Sequence, residues 1–330
     1  MELINFDNCK CSHIDYGGNA GRKEGIIYNG ENYLLKYAGN LRDNEMKNIS
    51  LYYSNSPLCE CIGSYIYEQL GIPVHKTFLG IRTIYNKTEI VVACKDFCDR
   101  SKAEYISPFH NLKVTFKPEF TDSNGEHTNG GGCDLQEVLL TIKNHHELKL
   151  LQNEVLERFW DMFVIDSLIG NGDRNNENWG LIKSFSSKDI RLAPVYDNGN
   201  CLTNKWSDDK MKSVLRDKES LKTEAYDGRR CIFTLHNKQI NPYHYILNCN
   251  DQDCNKAIKK LVPKIINLDL KRILSEFPII SEIQKKFFQV IMEERIKSVL
   301  QLALEKIVNM EKTINKNISK NPNKLYKRIL

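Results

Sequence analysis

Three oxygen-bearing side chains near the middle of the sequence have types and spacing that suit chemistry on phosphate groups. Asp173 and Asn178 stand at the two ends of a short polar segment, and Asp197 follows further along the chain. An aspartate can accept or orient the proton of an attacking hydroxyl, and an asparagine oxygen can bind Mg²⁺. Because Mg²⁺ between phosphate oxygens takes one or two carboxylates, Asp197 is the second candidate ligand. The pattern indicates Mg²⁺-dependent phosphoryl transfer from ATP, with Asp173 as the catalytic base.

The segments around these residues are expected to bring them together. Residues 155–169 are apolar nearly all round, which is typical of a buried helix, and glycines end it directly before Asp173. Residues 181–185 and 190–196 flank a turn-like cluster and predict a hairpin, which returns Asp197 to the candidate site. The spacing of Asp and Asn alone also fits a polar turn. The joint pattern of buried helix, glycine break, paired polar residues and hairpin favours the site.

A lysine and a glutamate in the first third of the chain are candidates for binding the phosphates. Lys36 lies in the apolar strand predicted at residues 33–37, where an unpaired ammonium group is expensive to bury. Phosphate oxygens would be suitable partners, although a lysine can also protect the edge of a sheet. Glu60 lies on a helix predicted at residues 57–70 and is the candidate carboxylate that holds Lys36. A solvated surface glutamate is the alternative for Glu60.

A glycine-rich segment at residues 16–25 precedes the lysine strand. Gly17, Gly18 and Gly21 allow backbone N–H groups to approach phosphate oxygens closely, so we expect them to contribute to nucleotide binding. The segment matches neither of the common phosphate-binding glycine motifs. Without the other candidates it would equally fit an irregular N-terminal turn.

A third candidate for nucleotide binding follows the apolar strand at residues 90–94. In a two-lobed kinase such a strand leads into the hinge, whose backbone groups bond adenine. Cys94, Lys95 and Asp96 are therefore predicted to bind the nucleotide through their backbone. Asp96 would equally suit an ordinary turn.

The order of predicted elements indicates an α+β protein with two lobes, in the manner of a protein kinase. Residues 1–97 form a small β-rich lobe that holds the glycine-rich segment, the lysine strand and one helix. Asn29 and Gly30 separate two of its strands and are a strong hairpin signal. Residues 98–330 form a larger helical lobe, which carries the catalytic segment, a long amphipathic helix at 281–308 and a basic tail.

Composition sets limits on the class of protein. With 41% hydrophobic residues in 330, the chain can build a core, and its net charge of +5 is too small to indicate a nucleic-acid partner. The eleven cysteines and the absence of a signal peptide favour reduced thiols in a cytoplasmic protein. No apolar run approaches the ~20 residues of a membrane span. Residues 121–132 read as a surface loop, and we expect a monomer.

These motifs together resemble the HipA-like kinases, a branch of the protein-kinase-like fold, over most of the chain. The resemblance implies a Ser/Thr protein kinase that uses ATP and Mg²⁺ and phosphorylates a protein substrate. It implies the same roles for the site: Asp173 as base, Asn178 and Asp197 as metal ligands, Lys36 on the phosphates and Glu60 as its partner. The motifs that carry it are Cys59-Glu60, residues 91–97, 159–163, 168–174 and 178–180, and Ala193-Pro194 with Asp197.

Departures from the family pattern affect the expected partners. HipA toxins carry an N-terminal subdomain that meets an antitoxin and reaches DNA with it. Here the glycine-rich segment begins near residue 16, so we expect neither an antitoxin nor a DNA partner. HipA also autophosphorylates a serine in its glycine loop, but no Ser or Thr lies between Gly17 and Gly25. Ser12 is the nearest candidate if autophosphorylation occurs.

Alternatives remain open for the activity and the location. A pseudokinase would bind the nucleotide without transferring phosphate, and a small-molecule kinase on the same fold would phosphorylate a sugar or lipid. The intact set of Lys36, Asp173, Asn178 and Asp197 favours an active kinase. One member of this branch is delivered into host cells as a bacterial effector, so secretion into a host cell is an alternative to the cytoplasm.

Overall fold

The computed structural model describes residues 2–16, 22–38, 55–116 and 132–320, the last four of these without their side chains. The predicted glycines Gly17, Gly18 and Gly21, most of the loop at 121–132 and the tail beyond residue 320 lie outside the described residues. All eleven cysteines lie within them and are free thiols, as predicted. Among the described helices, none combines the length and the apolar character that crossing a membrane requires.

The first part of the chain forms a curved sheet of six strands. They are β1 (Ile4–Asn5), β2 (Lys10–Cys11), β3 (Lys23–Tyr28), β4 (Glu31–Tyr37), β5 (Thr77–Ile84) and β6 (Lys87–Lys95). Their spatial order is β1-β5-β6-β4-β3-β2; β1 pairs parallel to β5 and the other pairs are antiparallel. Asn29 and Gly30 have φ of 50° and 78° and join β3 to β4, so the predicted hairpin is confirmed. The sheet places Lys36 in β4, beside β6.

Helix α1 (Ser56–Gln69) packs against β5 and β6. Pro57 occupies its first turn, where the missing N–H costs nothing, and Gly71 follows its end with φ of 77°. Asn55 occupies the N-cap position, and its side chain makes no capping hydrogen bond. Leu58 and the apolar residues that share its face are buried, and Glu60 on the opposite face is buried as well.

A second sheet of three strands stands at the start of the helical part. It consists of β7 (Glu104–Pro108), β8 (Gly180–Ser184) and β9 (Ile190–Leu192), antiparallel in the order β7-β8-β9. The hairpin predicted from 181–185 and 190–196 is therefore present, but its second strand is shorter than predicted. Pro194 lacks an N–H, and the next residue, Val195, exchanges two backbone bonds of 2.9 Å with Pro73 and His75 instead of continuing the sheet.

The remainder is helical. The helices are α2 (Phe109–Phe116), α3 (Leu135–Asn144), α4 (Gln152–Ile169), α5 (Asp208–Arg216), α6 (Lys218–Lys222), α7 (Pro242–Asn248), α8 (Gln252–Ile266), α9 (Leu270–Ser275), α10 (Glu282–Arg295) and α11 (Gln301–Lys320). One π-helical turn, Ile296–Leu300, joins the last two, and the short strands β10 (Thr234–Leu235) and β11 (Lys238–Gln239) pair with each other. The single amphipathic helix predicted at 281–308 therefore corresponds to α10 and α11, and α11 continues to Lys320.

Helix α4 lies in the centre of the helical part and packs against α3, α7, α8 and α10. All of its residues from Phe159 to its end are buried, as its composition predicts. Gly170 ends the helix in the left-handed conformation with φ of 69°. The polar segment that carries Asp173 therefore starts from a rigid support, which fixes where its side chains lie.

Candidate active site

The loop after α4 is tied together by its own side chains. Asn178 donates from its amide nitrogen to the carbonyl of Asp173 at 2.8 Å, and Asn175 donates to the Asp173 carboxylate at 3.2 Å. The backbone N–H of Asp173 bonds to the side chain of Asn171. Because the Asn178 nitrogen is used in this way, its side-chain oxygen is the atom that remains for a cation. The loop thus carries one carboxylate and one amide oxygen that could bind a cation.

Lys36 joins the sheet, the helix α1 and the segment after β9 at one point. Its ammonium group lies 3.1 Å from Oε2 of Glu60 and 2.7 Å from Oδ1 of Asp197. The Glu60 side chain is 2% exposed, whereas that of Asp197 is 44% exposed. Three residues that are far apart in the sequence are therefore in direct contact. The contact between Lys36 and Glu60 is the one expected from the sequence, and the roles of these residues remain predictions.

The ionisation of these groups follows from their contacts. Burial alone would lower the pKa of Lys36, but the charges of Asp197 and Glu60 raise it well above its ordinary value. Burial would likewise raise the pKa of Glu60, but the ammonium of Lys36 and the bond from His75 hold it below its ordinary range. The pKa of Asp173 is raised, chiefly by burial and further by the charge of Asp197. Lys36 and Glu60 are therefore ionised at neutral pH.

Glu60 accepts hydrogen bonds on both oxygens. Oε2 accepts from the ammonium of Lys36. Oε1 accepts from the backbone N–H of Asn198 at 2.7 Å and lies 3.0 Å from Nε2 of His75. The same His75 nitrogen lies 3.2 Å from the hydroxyl of Ser64. The sequence alone does not point to His75, because nothing in its local pattern distinguishes it from a surface histidine in a turn. Its burial and its position next to Glu60 appear only in the folded chain.

Glu60, His75 and Cys94 offer ligand atoms within 4.8 Å of one another, a grouping that metal sites also use. Burial raises the pKa of the Cys94 thiol well above its ordinary value, so the thiol stays neutral. Metal ions bind the thiolate, and here the ammonium of Lys36 already occupies the carboxylate. The cluster therefore supports the lysine–glutamate pair and is not suited to a cation.

Arg174 connects the catalytic loop to the segment that carries Asp197. It is 2% exposed and forms an ion pair with the buried Asp166 of α4 at 2.8 Å. The same guanidinium donates to the backbone carbonyls of Asn178 and Tyr196 and to the side chain of Asn198. The charge of Asp166 raises the pKa of Arg174 against the effect of burial. Arg174 lies in the motif 168–174 that carries the family resemblance, but no role was predicted for it.

Asp197 adopts a backbone conformation that is unfavourable for most residues. Its φ is 60°, in the left-handed region that aspartate and asparagine tolerate better than bulkier side chains. The next residue is held by the Glu60 and Arg174 contacts to Asn198, so the surrounding bonds fix this conformation. Strain of this kind is found at functional sites. It turns the carboxylate of Asp197 toward Lys36.

The predicted hinge residues have partners of their own. The N–H groups of Lys95 and Asp96 donate to the carbonyls of Lys76 and Asn32. An adenine base would therefore have to bond to other backbone groups of this segment. Cys94 is paired within the sheet, and its thiol faces Lys36 and Glu60.

The carboxylate of Asp96 connects three parts of the chain by hydrogen bonds. It accepts hydrogen bonds from the hydroxyl of Tyr16 at 3.1 Å, from the guanidinium of Arg100 at 2.7 Å and from the N–H of Cys98 at 2.9 Å. Burial and the charge of Asp96 raise the pKa of Tyr16, so its hydroxyl stays protonated and donates. Tyr16 is the first residue of the glycine-rich segment. This bond therefore links the start of that segment to the predicted hinge.

Comparison with known proteins gives a close match in both sequence and structure. No family model matches the chain. The serine/threonine-protein kinase CtkA of Helicobacter pylori is 32% identical over 313 residues, which cover 94% of this chain and 90% of CtkA. The crystal structure of this H. pylori proinflammatory kinase superposes with a TM-score of 0.81 at 30% identity, over 94% of this chain and 99% of that chain.

A more distant likeness is to the HipA toxin in a complex from Shewanella oneidensis MR-1. It has a TM-score of 0.45 at 11% identity, over 87% of this chain and 66% of that chain. That likeness is too distant to transfer residue roles, so the assignment rests on the two CtkA matches. Together with the sheet-then-helices architecture, they confirm the predicted α+β, kinase-like fold.

Proposed function

This chain belongs to the family of the Helicobacter pylori serine/threonine-protein kinase CtkA, and from that premise we propose that it transfers the γ-phosphoryl group of ATP to a serine or threonine hydroxyl of a protein. One contact supports this most directly: the ammonium of Lys36 bonds both to the buried carboxylate of Glu60 and to the partly exposed carboxylate of Asp197. Protein kinases position the phosphates of ATP with a lysine on a strand paired to a glutamate on a helix.

Asp173 is the proposed general base. Its carboxylate accepts the proton of the substrate hydroxyl as that oxygen forms a bond to the γ-phosphorus and the bond from phosphorus to the β-phosphate oxygen breaks. Burial raises the pKa of Asp173, which makes it a better proton acceptor than an exposed aspartate. The bond from Asn175 keeps the carboxylate oriented within the loop. Lys36 binds phosphate oxygens and neutralises part of their charge.

Asn178 and Asp197 are the proposed ligands of Mg²⁺. Their donor atoms fit this ion, because Mg²⁺ prefers oxygen ligands and usually takes only one or two carboxylates beside phosphates and water. The Asn178 oxygen remains for a cation, since its amide nitrogen is bonded to Asp173. When bound, Mg²⁺ would neutralise the charge that develops on the phosphate oxygens.

The remaining nucleotide contacts are proposals that follow from the order of the chain. Gly17, Gly18 and Gly21 would cover the phosphates with their N–H groups, between Tyr16 on one side and the lysine strand on the other. Cys94, Lys95 and Asp96 would border the adenine. We divide the chain at the predicted hinge into a small lobe, residues 1–97, and a helical lobe, residues 98–330.

Partners and location follow the same proposal. We propose a protein substrate and a protein that acts as a monomer in the cytoplasm, with neither an antitoxin nor a DNA partner. Autophosphorylation is also proposed, with Ser12 as its nearest acceptor. Ser12 bonds to the side chain of Asn32 at 3.0 Å, close to the glycine-rich segment. Mass spectrometry of the protein after incubation with Mg-ATP would identify the modified residue.

Replacement of the proposed base tests the function. In Asp173→Ala we expect the fold to be kept and the transfer of radiolabel from ATP to a mixed protein substrate to fall about 10²–10⁴-fold, the usual effect of removing a general base. Glu177→Gln is the matched control, because Glu177 is an exposed acid in the same loop. Transfer by Asp173→Ala at the wild-type rate would exclude the proposed mechanism. Binding of Mg-ATP without any transfer by the wild type would identify a pseudokinase.

A further inference from the structure

A cavity of about 220 Å³ adjoins the catalytic loop. Its walls are the end of α4 with Gly170–Gly172, the segment 200–206 that follows Asp197, and the segment 229–233. Neither the six-stranded sheet nor α1 contributes a residue to it. The cavity therefore lies beside the proposed base but apart from the proposed phosphate site.

The inner wall and the rim of this cavity differ in chemistry. Phe163, Phe233 and Tyr243 form an inner wall of buried rings. The exposed cations Lys205 and Arg230 stand at the rim, and among the described residues neither has a carboxylate within ion-pair distance. Arg229, the third cation of the rim, is paired with Glu224 at 3.3 Å. The rim thus carries two positive charges that the described part of the protein does not neutralise.

These charges act close to the proposed chemistry. The charge of Lys205 acts on the carboxylate of Asp173 and lowers its pKa slightly against the effect of burial. Gly172, the residue before Asp173, lies close to Arg230: a Cβ added at Gly172 would be 3.5 Å from the Arg230 carbonyl oxygen. The cavity is smaller than the roughly 300 Å³ at which small-molecule pockets begin, so it suits one side chain of a larger ligand. An anionic side chain would meet complementary charge at the rim.

We propose that this cavity is a substrate-recognition site for an acidic side chain next to the phosphorylated serine or threonine. The proposal rests on the kinase function proposed above and adds the substrate class: acidic peptides. Lys205 and Arg230 would pair with the carboxylate at the rim of the cavity. None of the described residues proposed to contact the nucleotide lines this cavity, so the nucleotide does not compete for it.

Peptide binding tests the proposal separately from phosphoryl transfer. Three peptides of equal length with one central serine are needed: one with glutamates beside the serine, one with the same glutamates at its far end, and one with lysines beside the serine. Their affinities for the full chain are measured by calorimetry with Arg230→Ala, Lys205→Ala and the double variant. Lys212→Ala is the control, because Lys212 lies on α5, outside the cavity, and pairs only with Asp209 among the described residues.

We expect the first peptide to bind at least tenfold more tightly than the other two. Each single variant should weaken that binding about threefold to fivefold, as for a partly exposed ion pair, and the double variant more than tenfold. The Lys212→Ala control should not change it. Equal binding of the first two peptides would mean attraction of any polyanion and would overturn the proposal, as would unchanged binding in the double variant. Absence of radiolabel transfer to a bound peptide would contradict the kinase function and leave the recognition site intact.

Discussion

At the scale of single residues, the Glu60 carboxylate is the most constrained group of the candidate site. It is buried, yet it is ionised because Lys36, His75 and the N–H of Asn198 all bond to it. A buried carboxylate with a lowered pKa stabilises the folded state only while it is ionised. Its contribution is therefore present above its ordinary pKa of about 4.5 and is lost as the pH falls toward its lower folded value.

This linkage predicts how the stability of Glu60→Gln depends on pH. At pH 7 the variant should be less stable than the wild type, because Lys36 loses a charged partner. As the pH falls below about 4.5, the wild type should progressively lose this advantage, so the melting temperatures of the two proteins should approach each other. Thermal unfolding across that range measures the difference. Glu31→Gln is the control, since Glu31 is 54% exposed in its pair with Lys95. A difference in melting temperature between the wild type and Glu60→Gln that does not change with pH would contradict the linkage.

At the scale of elements, Arg174 holds the end of α4, the catalytic loop and the segment after β9 in one arrangement. Replacing Arg174 by Met leaves the Asp166 charge buried without its partner, which typically costs about 3–5 kcal/mol. We expect a loss of that size in the free energy of unfolding, measured in urea. Arg191→Met removes a half-exposed pair with Glu104 and should cost about 1 kcal/mol or less. Similar losses of unfolding free energy in both variants would show that Arg174 does not hold these three elements together.

The end of α4 makes a second prediction, which separates backbone strain from steric contact. Gly170 and Gly30 both have positive φ, so alanine at either position costs about 1–2 kcal/mol for the left-handed conformation. A Cβ at Gly170 would also lie 2.7 Å from the guanidinium of the buried Arg295, whereas nothing lies within 4 Å at Gly30. Gly170→Ala should therefore lower the unfolding free energy clearly more than Gly30→Ala. Equal losses would show that Arg295 yields without cost.

The elements that the sequence predicted correctly are those that local physics determines. Asn29-Gly30 makes the hairpin turn by itself, and the apolar residues of α4 require burial wherever the helix packs. The segment 190–196 was predicted as one strand, but β9 ends early because Val195 finds its partners on the loop after α1. His75 could not be predicted for the same reason. Its role depends on a contact with Glu60 that exists only after the sheet and α1 have packed.

At the scale of the whole molecule, the sheet with α1 and the helical part are joined directly behind the candidate site. Val195 bonds to Pro73 and His75 at 2.9 Å, and Asn198 bonds to Glu60 at 2.7 Å. All of these contacts lie beside Lys36 and Asp197. The candidate phosphate site is therefore assembled from both parts of the protein, and a ligand bound there should stabilise both against unfolding.

Mg-ATP should accordingly raise the melting temperature of the whole chain in a single transition. At a concentration a hundredfold above its dissociation constant, a ligand that binds only the folded state adds about 2.7 kcal/mol of stability. Lys36→Met should abolish most of this increase, because the proposed phosphate contact is lost. Lys87→Met should keep it, since Lys87 is 72% exposed at the first residue of β6. Because apo Lys36→Met also leaves Glu60 without its ammonium partner, only the increase on adding Mg-ATP is compared. An equal increase in both variants would mean that the nucleotide binds elsewhere.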